Sequence, residues 1–84
     1  MVQIVENWAE LRGRVISIGQ HSDPKFATAR LAVEDVVEVE GFPNFFAADK
    51  GKSVEVAVPR HMRVQAGADV KLRVRKTPRG AFAI

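Results

Sequence analysis

The stretch LRGRVISI, residues 11–18, begins as one kind of strand and ends as another. Leu11, Gly13 and Val15 fall on one face of an extended chain, and Arg12 and Arg14 on the other. That two-residue period marks a half-buried β-strand. Ile16 and Ile18 then place apolar side chains on the parity that the arginines had occupied. A strand that changes its buried face partway along needs a bulge or strong coiling, and Gly13 permits the bend. One long, bent first strand of this kind serves both halves of a small barrel.

Strand patterns continue from there. GQHSDP, residues 19–24, is a loop, with Asp23-Pro24 favouring a turn. A second strand runs from Phe26 to about Val39. Its inward parity holds Ala27, Ala29, Leu31, Val33, Val37 and Val39, and its outward parity Thr28, Arg30, Glu34, Glu38 and Glu40. Asp35 sits on the inward parity, which predicts a bulge or break there. Residues 41–51, GFPNFFAADKG, are too rich in Gly, Pro and Asn for a strand, yet they carry three phenylalanines. These rings are expected to fold inward as a plug over the barrel mouth, or else to form an interaction surface.

Lys52 to Val58 is the third strand, with Val54, Val56 and Val58 inward and Ser53, Glu55 and Ala57 outward. Pro59 ends it, and Arg60 to Gln65 are expected to form one helical turn. Val70, Leu72 and Val74 alternate with Lys71, Arg73 and Arg75 in the fourth strand, Thr77–Gly80 is a hairpin, and Ala81–Ile84 completes five strands. No long window carries a 3.6-residue apolar period, so a helical bundle is disfavoured.

The chain of 84 residues is short for more than one domain, so residues 1–84 read as one unit with 1–7 as a flexible N-terminal arm. It has no cysteine and two histidines, which leaves no disulfide or thiolate site; neither a metal nor a cofactor is expected. There is no signal-peptide pattern and no apolar run near the ~20 residues of a membrane span. A cytoplasmic protein that does not enter membranes is the expectation. The net charge of +3 is unevenly spread: residues 1–49 hold four basic and eight acidic side chains, residues 50–84 nine and two. An anionic partner for one side would explain that polarity.

The elements L-x-G-x-V-x-x-I at Leu11–Ile18, GKSVEVAVP at Gly51–Pro59 and GADVKLRVR at Gly67–Arg75 resemble together the layout of OB-fold barrels over roughly residues 8–84. The resemblance implies an all-β, five-stranded OB-like barrel whose helix between strands three and four is shortened or absent. It also implies that strands one and four are neighbours. TOBE-type ligand-binding barrels and SH3-like barrels share much of this pattern.

If strands one and four pair, Arg12, Arg14, Lys71, Arg73 and Arg75 lie on one outward face, where phosphates would offset their mutual repulsion. Glu6, Glu10 and Glu55 are the acids that would otherwise neutralise it. Lys25 beside His21 in the first loop, and Lys76 and Arg79 in the last hairpin, extend the candidate surface, as does Arg30. OB-fold binders commonly clamp a ligand between these two loops. Base stacking needs exposed aromatics, and Phe26 shares the outward parity of Arg30; Phe82 is the other ring near the proposed strands.

The functional expectation is a non-enzymatic module that binds single-stranded nucleic acid with low sequence specificity. The alternatives are a protein-interaction or self-association module using Phe42, Phe45 and Phe46, and a TOBE-like accessory ligand-binding barrel. No P-loop, dinucleotide fingerprint, cysteine nucleophile or H-E-x-x-H motif is present.

Overall fold

A computed structural model describes residues 6–84. Five strands, β1 (Ala9–Gln20), β2 (Phe26–Glu38), β3 (Ser53–Pro59), β4 (Asp69–Thr77) and β5 (Gly80–Ala83), close into a barrel in the order β1-β2-β3-β5-β4. All neighbours are antiparallel except β3 and β5, which pair in parallel. The expected contact between β1 and β4 is present, running from Ala9↔Val74 to Arg14↔Asp69. This closed barrel is compatible with the OB-like layout. The segment between β3 and β4 holds a single 3-10 turn, Arg60–Met62, and no longer helix. Among the described residues no helix is long and apolar enough to cross a membrane.

β1 bends where its sequence changes phase. Its pairing with β2 passes from Val15↔Leu31 to Ser17↔Arg30, so Ile16 is the extra residue of a bulge and is exposed. A second irregularity sits on β2, between Arg12↔Asp35 and Gly13↔Val33, where Glu34 is left without a partner. This bulge corrects the expected parity of β2. Beyond it Val36, and not Val37 or Val39, pairs with buried Leu11 and packs against the core. Asp35 accordingly turns outward, 3.7 Å from Lys50 Nζ. The one-residue insertion exchanges the faces of everything after it.

The barrel interior is filled by Leu11, Val15, Ala29, Leu31, Val33, Val56, Val58, Leu72 and Val74. Of the three phenylalanines after β2, only Phe46 plugs the barrel, fully buried beside a 3-10 turn at Ala47–Asp49. Its amide donates to Asn44 Oδ1 at 2.8 Å, which tightens the chain as it dives inward. Phe42 and Phe45 are exposed. The three rings therefore do not share a surface, and Phe46 is withdrawn from any interaction patch.

The expected N-terminal arm, residues 1–7, overlaps the described residues only at Glu6 and Asn7. Residues 1–5 lie outside the described residues, but Asn7 is 2% exposed and belongs to the barrel. Asn7 Nδ2 donates to Lys76 O at 2.9 Å, and Lys76 N donates to Asn7 Oδ1 at 2.8 Å. Two residues past Ala9↔Val74, a side-chain amide thus continues the β1–β4 ladder in place of a backbone. Asn7→Ala leaves both Lys76 groups without these partners and is expected to cost about 2–3 kcal/mol. A urea titration followed by Trp8 fluorescence measures it; a loss under about 0.5 kcal/mol would mean that water replaces the amide at no cost.

Candidate functional site

Register places the five predicted cations of β1 and β4 on one outer face, but acids interleave them. Arg12 lies opposite Lys71, Glu10 opposite Arg73 and Arg14 opposite Asp69. Glu10 Oε1 stands 3.1 Å from Lys71 Nζ and 3.7 Å from Arg12 Nε, and Arg14 Nε donates to Asp69 Oδ1 at 3.3 Å. Opposite charges on facing strands are mutually favourable, each pair contributing a few tenths of a kcal/mol. Three of the five cations are thereby engaged within the protein. Of the acids considered from sequence, Glu10 is the neutraliser; Glu6 instead accepts from Trp8 Nε1 at 3.3 Å.

The remaining predicted residues separate in space. Lys76 is drawn away from the outer face, 3.4 Å from Asp49 Oδ2 and 4.9 Å above the Phe46 ring. Arg30 is exposed on β2 opposite Glu55 of β3, and Lys25 is exposed at the end of the first loop. Arg75 and Arg79, by contrast, meet Phe26 in one place.

That place is a groove of about 410 Å³ lined by Phe26, Arg75, Thr77, Pro78, Arg79 and Phe82. No carboxylate lines it. A second hollow of about 460 Å³, lined by His21, Ser22, Asp23, Arg79 and Phe82, shares Arg79 and Phe82 with it. Three rings meet here: Phe26 and Phe82 edge-to-face at 5.3 Å, with His21 at 5.7 Å from Phe26 and 5.9 Å from Phe82. All three are half-buried, so each adds to the surface as well as to the packing. Beneath them lies Ala57, which pairs with Phe82 on one side and Thr28 on the other. The alternation of β3 assigned Ala57 to solvent; the rings cover it, and it is 4% exposed.

The two loops that frame the groove are held by their own side chains. In the first, Asp23 N donates to His21 Nδ1 at 3.0 Å. Lys25 N donates to Asp23 Oδ1 at 2.9 Å, and Arg60 Nε to Pro24 O at 2.8 Å. In the hairpin, Thr77 Oγ1 donates to Gly80 O and accepts from Arg79 N, both at 3.1 Å. Gly80 takes a φ of 115°, a conformation that strains any residue with a Cβ. Asx and Ser/Thr turns of this kind restrict a loop before any ligand arrives.

Arg75 has a further contact, its guanidinium carbon 5.8 Å from the Trp8 ring centroid. A cation over an aromatic face is oriented by the ring quadrupole, and this one is held at the rim of the groove. The groove therefore presents flat apolar rings, two guanidinium groups and no acid in its lining. Sequence reasoning assigned no site role to Thr77 or Pro78, placed His21 with Lys25 at the first loop, and named Phe82 as the second ring near the strands. Placing Phe82 beside Phe26 requires the parallel β3–β5 pairing, which no local pattern reveals. Among the described residues no three metal-ligating side chains gather in one place. No protein-family model, no curated protein and no solved structure matches the chain.

Proposed function

We propose that this barrel is a non-enzymatic module that binds single-stranded nucleic acid in the groove between the first loop and the last hairpin. One observation carries the reading: Phe26 and Phe82 stand half-exposed between Arg75 and Arg79, with no carboxylate in the lining. An unpaired base stacks on a phenyl ring whatever its identity, and the arginines neutralise the adjoining phosphates. Contacts of both kinds carry little sequence information, so specificity is low. The resemblance to OB-fold barrels, which commonly bind oligonucleotides between these same loops, supports the choice of ligand. Relative to the β1–β4 face, the site is smaller and lies at its end. Arg75 belongs to both, whereas Arg12, Arg14 and Lys71 already have acidic neighbours.

Fluorescence anisotropy with labelled oligo-dT and oligo-U over a range of salt tests the proposal. The affinity should fall with a log–log slope of roughly −0.7 per phosphate contacted. Phe82→Ala should weaken binding by about fivefold or more, the lower bound for loss of one stacked base, without changing the circular dichroism. Arg79→Ala should weaken it and flatten the salt slope, while Arg30→Ala should do neither. A salt-independent signal, or equal losses from Arg30→Ala and Arg79→Ala, would remove the groove as the site.

A second reading rests on the exposure of Phe42 and Phe45 at 39% and 45%. A loop carrying two open rings suits a protein partner or self-association. It predicts a mass that rises with concentration in sedimentation and that Phe45→Ser returns to the monomer.

A further inference from the structure

Where β1 runs into the first loop, the fold leaves a strand edge open among the described residues. β1 pairs with β2 as far as Gln20↔Ala27, but with β4 only as far as Arg14↔Asp69. Among the described residues, Ile16–Gln20 therefore have a strand neighbour on one side only. Proteins ordinarily guard such an edge with charge, proline or cover. Here residues 15–22 contain no Lys, Arg, Asp, Glu or Pro, and Ile16 and Ile18 are 51% and 40% exposed.

Beside this edge, the short connection between β3 and β4 leaves a hollow of about 160 Å³ lined by Ile18, Ala27, Val58, Pro59, Arg60, Arg63 and Val64. Its wall is aliphatic apart from two arginines, and neither forms an ion pair among the described residues. Arg63 has the left-handed backbone, φ 51°, and is the one described non-glycine residue with a positive φ. Glycine or asparagine is the usual occupant of that position at the end of a helical turn. At Arg63 that conformation carries an exposed cationic side chain beside the hollow.

We infer that this edge and hollow dock an extended segment of a partner protein, one in which aliphatic and acidic residues alternate. An unpaired strand edge is satisfied by another extended backbone, which adds as a further strand. The aliphatic wall takes one branched side chain of that segment, and its neighbouring carboxylates meet Arg60 and Arg63. The hollow adjoins the ring-lined groove through Phe26↔Pro59 but shares no lining residue with it, and the inference does not depend on what that groove binds.

The test is an amide-shift titration of the full ¹⁵N-labelled chain with the acetylated, amidated peptide Glu-Val-Asp-Ile-Glu-Val-Asp. Saturable shifts are expected at residues 16–20 and 58–64, with slowed hydrogen exchange in 16–20 as the mark of strand addition. Ile18→Lys and Arg63→Glu should each weaken binding by about fivefold or more. Arg63→Gly removes the charge while relieving the backbone, so binding should fall with the thermal midpoint kept or raised. Replacing every acid of the peptide by lysine should abolish binding.

Three outcomes would overturn the inference. One is no shift at about 1 mM peptide, a concentration that would nearly saturate a site with a Kd of about 0.1 mM. Another is shifts centred on Phe26, Arg79 and Phe82, which would make the peptide a mere polyanion in the groove. The third is a dimer in sedimentation, without peptide, that Ile18→Lys dissociates; the edge would then be covered by a second copy.

Discussion

Gly13→Ala is expected to cost the barrel about 3–5 kcal/mol, because Gly13 is the one glycine among the described residues at which an added Cβ would overlap other atoms. A Cβ built on Gly13 would sit 2.0 Å from Ala32 O, 2.9 Å from Ala32 C and 3.2 Å from Val33 Cα. All three are backbone atoms, so no side-chain rotation relieves the overlap. The close approach belongs to the bulge on β2, where Glu34 is skipped and Val33 is brought opposite Gly13. Retreat of β2 would break pairing on both sides of the bulge, and retreat of β1 would disturb Gly13↔Val70 in β4.

A domain of 84 residues has only about 4–13 kcal/mol to lose, at the usual 0.05–0.15 kcal/mol per residue. Urea unfolding followed by Trp8 fluorescence reads the change. Gly19→Ala is the control, because its Cβ would meet nothing within 4 Å and should shift stability by less than about 0.5 kcal/mol. Equal midpoints for the two variants would show that the strands separate at little cost, against the tight-register account.

Phe46→Ala should cost about 3–5 kcal/mol, the range for truncating a buried aromatic ring. Phe46 is fully buried and is among the largest side chains in the core. Its removal opens a cavity in the buried cluster that fills the barrel. It also takes away the ring beneath Lys76, whose ammonium is 4.9 Å from the centroid. Phe45→Ala, one residue earlier, removes a half-exposed ring and should cost less than about 1 kcal/mol. Should Phe46→Ala fail to fold, Phe46→Leu retains most of the volume and should still fall below the wild type. Comparable losses at Phe45 and Phe46 would contradict the division of the loop into one plug and two open rings.

The difference between those two rings was beyond local reading. Phe45 and Phe46 are adjacent, equally apolar, and both follow Pro43-Asn44; only the arc of the chain over the barrel mouth decides which points inward. Strand content was far more legible, because alternation arises within a single strand. Val70, Leu72 and Val74 against Lys71, Arg73 and Arg75 needed no partner to be recognised. The bulge at Ile16 was legible for the same reason: its mark is a phase change inside one segment.

The site divides along the same line. Arg75, Arg79 and Phe26 were readable as basic or outward positions near the two loops, and they do line one groove. Glu10 was one of three acids that could neutralise the β1–β4 face, and the register that brings it to Lys71 across the strands is what selects it over Glu6 and Glu55. Lys76 shares the hairpin with Arg79, yet pairing with Asp49, 27 positions earlier, carries it elsewhere.

By itself, then, the sequence determined the all-β class, the five strands, the bend in β1 and most of the inward positions. Each is a property of a single extended segment, whose side chains alternate by the geometry of the backbone. Only the tertiary structure decided the phase of β2 beyond Glu34, the choice of Phe46 as plug, the neutralisation around Glu10 and the meeting of His21, Phe26 and Phe82. These depend on which residues face each other across strands distant in sequence. A shift of one residue in register exchanges every such partner while leaving the local pattern of each strand intact.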